Sequence, residues 1–168
     1  RGMGALEFMP AKDIASNSSV DVEAITEIVK KVLDVKESFV EKGLSDIALL
    51  NIFKIGTSAG GARPKILVSE NKKTGQLIAG DLVTSEEYNH YLIKLSVDEN
   101  ESYSKEKVEF VYYQIARKLG IDMMHCKMID NKHFATLRFD RQFGIKQHLL
   151  TASGMTGWDF KKSEYSSD

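Results

Sequence analysis

Gly56-Thr57-Ser58-Ala59-Gly60-Gly61-Ala62-Arg63-Pro64-Lys65 is a run of small residues closed by basic side chains, entered from one apolar segment and left through Ile66-Leu67-Val68. Small side chains let backbone N–H groups approach an anion closely, and Arg63 and Lys65 stand ready to neutralise it. The stretch reads as a phosphate clamp between two strands. The entering segment, Ile47-Ala48-Leu49-Leu50-Asn51-Ile52-Phe53, has spacing that suits a helix as well as a strand.

Downstream, Ile66-Leu67-Val68 and Leu77-Ile78-Ala79 flank the polar Asn71-Lys72-Lys73-Thr74-Gly75, whose final glycine suits a hairpin bulge. Tyr91-Leu92-Ile93-Lys94-Leu95 reads as a further strand. The polar 96–104 segment then offers Ser102 or Ser104 as the cap of a helix from Lys105 to Leu119. Val108, Val111, Tyr112, Ile115 and Leu119 mark the apolar face expected to pack on a sheet, and Gly120 closes the helix. Cys126–Ile129 and Phe134–Leu137 bracket Asp130-Asn131-Lys132 as a second hairpin, and the chain beyond it to Trp158 is weakly patterned. Upstream, Ile25, Ile28, Val29, Val32 and Leu33 predict a helix over about 20–41, capped from among Asn17, Ser18 and Ser19, favoured by Asp21 and Glu23, and stopped by Gly43.

The chain has 168 residues, enough for one core with a small appended part. Its 23 Lys and Arg against 24 Asp and Glu give no bulk attraction to nucleic acid or anionic lipid. No apolar run reaches the roughly 18 residues of a membrane span, and no signal core follows Arg1, so the cytoplasm is the expected location. Cys126 is the single cysteine, which excludes an internal disulfide. His90, His125, His133 and His148 lack metal-ligand spacing, so packing or surface roles are expected for all of them. Both ends look cut rather than finished, and a longer parent is expected.

Lys94 follows Lys65 by 29 residues and Glu109 follows Lys94 by 15. A loop that cradles phosphate, a strand lysine and a helix carboxylate that keeps the lysine straight form the logic of a kinase amino-terminal lobe. No Walker A sequence is present, and no glycine fingerprint opens a βαβ unit.

Gly60-Gly61-Ala62-Arg63-Pro64-Lys65, Leu92-Ile93-Lys94-Leu95 and Arg138-Phe139-Asp140-Arg141, in that order, resemble the HipA-like serine/threonine kinases, the toxins of bacterial toxin–antitoxin pairs. Arg1-Gly2-Met3-Gly4-Ala5-Leu6 also resembles that family's link after its small amino-terminal subdomain. The resemblance implies an α+β, protein-kinase-like amino-terminal lobe with an antiparallel sheet and packed helices over 46–168, preceded over 1–45 by a lead-in and helical segment. It places Ser58, Ala59, Gly60, Gly61, Ala62, Arg63 and Lys65 in the phosphate loop, Lys94 on the phosphates of ATP and Glu109 against Lys94. Leu137, Phe139 and Asp140 fall where the family's hinge meets adenine.

The family's Asp-x-His-x-Lys-Asn catalytic loop does not occur in these residues, so the catalytic carboxy-terminal lobe is expected to be missing and no catalytic residue is named. For the intact protein the resemblance implies ATP with Mg²⁺, a protein Ser/Thr substrate and a helix-turn-helix antitoxin through which DNA is reached indirectly. One alternative is a non-catalytic regulatory or interaction module that keeps the fold. A weaker one is nucleic-acid binding through Arg63, Lys65, Arg138 and Arg141.

Overall fold

The computed structural model describes residues 4–5, 19–34, 64–80, 85–97 and 103–158. The continuation of the first helix to 41, the stop at Gly43, the Ile47–Phe53 segment, the loop residues Ser58 to Arg63 and Ser102 lie outside them.

Helix α1, Val22–Asp34, begins where the Asp21 carboxylate accepts the N–H groups of Glu23 and Ala24 at 3.0 and 3.1 Å. Asp21 is therefore the cap, satisfying donors that the first turn cannot pair. Ser19, expected to serve in capping, instead bridges Ile78 at the edge of the sheet.

Among the described residues, five strands form one antiparallel sheet: β1 Lys65–Asn71, β2 Leu77–Ala79, β3 Tyr88–Lys94, β4 Cys126–Ile129 and β5 His133–Leu137, in the order β2-β1-β3-β5-β4. The first hairpin turns on Asn71, whose side-chain oxygen accepts from the N–H groups of Lys73 and Thr74, and on Gly75 at φ +72°. That positive φ costs glycine nothing, as its place in the sequence foretold. The second hairpin turns through Asp130 and Asn131 at φ 51° and 53°, residues that tolerate the left-handed region.

Alternation along the strands gives the sheet two different faces. Ile66, Val68, Ala79, Tyr91, Ile93, Leu95 and Ala135 form one core with Val22 and Ile25 of α1. Ile93 and Ala135 are wholly buried and paired in register across β3 and β5. Lys127 stretches over this face from the outer strand β4 to pair with Glu70 on β1, its ammonium 4.6 Å from the Tyr91 ring centre. The opposite face carries Lys65, Leu67, Ser69, His90, Leu92, Lys94 and Phe134.

Helix α2, Lys105–Lys118, is capped by Ser104 Oγ, which accepts the Lys107 N–H. It packs on β4 and β5, but not by the face its apolar periodicity predicts. Val111, Tyr112 and Leu119 are 50%, 68% and 74% exposed, and Val108 and Ile115 are exposed too. The covered side is Glu106, Glu109, Phe110, Tyr113 and Ala116, with the Phe110 and Tyr113 rings stacked at 5.9 Å. Both sides of this helix hold residues at helical spacing, and the Glu109 bond to Lys94 fixes its rotation. Gly120, at φ +81°, ends it by donating to Arg117 O.

The weakly patterned tail forms a small hairpin, β6 Arg141–Gln142 and β7 Ile145–Lys146, then a one-turn helix α3, Ala152–Thr156. Its turn is Phe143-Gly144, with Phe143 at φ 51° and largely exposed.

Candidate functional site

Strand register builds the site. Lys65 at the start of β1 sits opposite Lys94 at the end of β3, so both side chains leave the same face of the sheet. Lys65 is also where the glycine-rich loop joins the sheet. Two basic side chains thus start side by side on one face of the sheet, the second with a carboxylate against it.

Glu109 on α2 pairs with Lys94 through Oε2, and the two side chains are 28% and 35% exposed. The ammonium also stands 5.8 Å from the Phe134 ring centre, where the ring face attracts a cation. Phe134 is paired with Lys94 in register and carries no sequence signal of this role. A cation held from two sides is pre-aimed, which suits it to anchor an anion at the open end of the pair.

The residues after β5 diverge from this arrangement. Leu137 packs its side chain against the α1-side core, and its N–H donates to His125 O at 2.9 Å. Arg138 N–H donates to His90 O at 2.8 Å. Phe139 is 48% exposed, so its ring lies outside the core. Asp140 is buried, and its carboxylate takes Arg138 Nε at 2.9 Å, Arg138 Nη2 at 2.7 Å, Arg141 Nη1 at 3.2 Å and the Gly4 N–H at 2.7 Å. Burial pushes this carboxyl up, but the Arg138 bonds, the Gly4 N–H and the two guanidinium charges together bring it below the ordinary value. Asp140 thus pairs with both Arg138 and Arg141.

Buried polar contacts stand on both faces of the sheet, Ser69 with His90 on the Lys94 face and His133 on the α1 face. Ser69 Oγ donates to Gly80 O at 2.6 Å, so the 2.8 Å contact to His90 is donated by the His90 Nδ1–H. His133 accepts the Ser96 N–H at Nδ1, 3.1 Å away, which leaves its proton on Nε2, 3.5 Å from Glu23 Oε2. Burial pushes the His133 pKa down, against the pull of Glu23. Cys126 is buried with its thiol pushed up by burial, so it packs rather than reacts. Among the described residues no group of three or more His, Cys, Asp or Glu is placed to hold a metal ion.

Residues 57–168 match the family model of the HipA-like C-terminal domain. The chain belongs to the HipA-like family. No curated protein and no solved structure matches the chain. The HipA-like match begins within the glycine-rich stretch and takes in Lys65, Lys94, Glu109 and the Leu137–Asp140 segment. No described helix of this HipA-like chain is long and apolar enough to cross a membrane.

Proposed function

We propose that this chain is the ATP-binding portion of a HipA-like protein serine/threonine kinase, the toxin of a toxin–antitoxin module. In this reading 46–168 are a kinase-like amino-terminal lobe, 1–45 join it to a preceding subdomain, and the catalytic lobe belongs to the intact parent. The observation that carries it is the Lys65–Lys94 juxtaposition at the loop's exit, with Lys94 held by Glu109.

The family match and this juxtaposition support the following division of roles. Backbone N–H groups of Ser58 to Ala62 and the side chains of Arg63, Lys65 and Lys94 bind the phosphates, and Glu109 keeps Lys94 aimed at them. Phe139 and the backbone of Leu137 to Asp140, apart from the Leu137 and Arg138 N–H groups that bond His125 O and His90 O, receive the adenine. Transfer of the γ-phosphoryl to a protein Ser or Thr hydroxyl requires charge balancing that positioned cations supply. Among the described residues no cluster of His, Cys, Asp or Glu is placed to hold Mg²⁺. The family's helix-turn-helix antitoxin is the expected partner, DNA is reached only through it, and the protein works in the cytoplasm.

The test is equilibrium binding of ATP to the chain and to Lys94→Ala, followed by phosphotransfer from the product of the complete open reading frame. Losing a charge-assisted contact to phosphate should weaken ATP binding by about tenfold or more. Equal affinity in the two proteins would remove the assignment. A non-catalytic module would bind its protein partner with Lys94→Ala as well as without it and transfer no phosphate. A nucleic-acid reader would lose affinity steeply as salt rises.

A further inference from the structure

Gly4 lies against the segment that follows β5, although 136 positions separate it from Asp140. Its N–H donates to Asp140 Oδ2 at 2.7 Å, and its carbonyl accepts Arg141 Nη1 at 2.8 Å. Its φ is +69°, and a Cβ there would stand 2.9 Å from both the Cβ and the backbone N of Leu149. Only glycine fits this seat without strain.

The carboxylate it meets is held in two dimensions. Arg138 grips Asp140 with a two-toothed fork, Arg138 N–H is tied to His90 O on β3, and Gln147 N–H donates to Asp140 O at 2.9 Å. Buried ion clusters of this kind add little stability over apolar packing, but a two-toothed guanidinium bond fixes orientation. The fixed element is the stretch from Leu137 to Arg141. Leu137 stands in register with Tyr91, three residues along β3 from Lys94, or about 10 Å at about 3.3 Å per residue.

We propose that Gly4 and the Asp140 cluster it completes are positioning residues of the nucleotide site. They set the pose in which Phe139 and its neighbouring backbone receive the base, while the phosphate grip at Lys65 and Lys94, about 10 Å along β3 from the register position of Leu137, works independently. The inference rests on the nucleotide-binding reading above. It adds that the lead-in, distant in sequence, governs affinity for the base end of the ligand and not for its phosphate end.

The experiment compares ATP with inorganic tripolyphosphate, on the full chain and on Gly4→Ala, Arg141→Gln and Lys94→Ala, with amide hydrogen exchange read over 137–147. Gly4→Ala introduces a clash, whereas Arg141→Gln removes a donor without adding bulk, so the pair guards against simple misfolding. Gly4→Ala and Arg141→Gln should lower ATP affinity by about tenfold, leave tripolyphosphate affinity within about twofold, and speed exchange at the Arg138 and Gln147 amides. Lys94→Ala should weaken both ligands.

Unchanged ATP affinity in Gly4→Ala and Arg141→Gln, or a parallel loss of tripolyphosphate, overturns the positioning role while leaving nucleotide binding standing. Unchanged exchange overturns it as well. A wild-type chain that binds neither ATP nor tripolyphosphate overturns the nucleotide reading itself, and faster exchange in Gly4→Ala would then show a brace without a positioning role.

Discussion

Asp140 shows how one side chain can look like a ligand contact in the sequence and be wholly engaged inside the protein. Its carboxylate accepts bonds from both neighbouring arginines and from Gly4, so truncation strands several buried donors at once. Asp140→Ala should cost about 3–5 kcal/mol in a denaturant melt, the penalty of breaking a buried pair from one side. Lys94→Ala should cost at most about 1 kcal/mol, because the Lys94–Glu109 pair is partly exposed. The two changes thus differ in stability: the Asp140 charge is built into the fold, and the Lys94 charge is not. Arg138-Phe139-Asp140-Arg141 showed in sequence that paired charges lay here. It could not show that residue 4 completes them, because no local pattern encodes a contact over so long a separation.

At the scale of elements, hairpins were the most legible part. Asn71 with Gly75 and Asp130 with Asn131 are residues whose local preferences match their turns, and the structure uses them as turns. The Phe143-Gly144 turn was hidden because a bulky aromatic rarely adopts positive φ. Helix α2 was located correctly and rotated wrongly. Its apolar positions and its Glu109 side both follow helical spacing, and only the tertiary bond to Lys94 decides between them. Val111→Asp, at an exposed position, should therefore change stability by no more than about 0.5 kcal/mol. Had that face formed the core contact, the same change would bury a charge and cost several times as much. Thermal melts of Val111→Asp beside Tyr113→Ala make the comparison, with Tyr113→Ala the more damaging of the two.

For the molecule as a whole, pH couples both flanks of the sheet to folding. His133 joins β5 to Ser96 and faces Glu23 of α1, with Lys132 and Asp130 nearby, and its native pKa lies below the ordinary 6.5. The unfolded chain therefore takes up this proton first. The His133 contribution is complete above pH 6.5 and is lost as pH falls from there through the lowered native value. Asp140 acts further down: its contribution is full above 3.8 and disappears as pH falls through its depressed native value. Denaturant melts across pH should lose the first slope in His133→Gln and the second in Asp140→Asn. A first slope that survives His133→Gln would assign it to another group. None of this was visible in the sequence, where both residues are ordinary titratable side chains.

The Gly4–Asp140 bond also has a temporal side. The ribosome delivers residue 140 only 136 additions after residue 4, roughly 7–27 s later at about 5–20 residues per second. Until then the Gly4 segment has no Asp140 carboxylate to meet. Its seating must wait for both partners to leave the ribosome, so this joint closes after translation has passed residue 140 and cannot guide the earlier folding of the sheet.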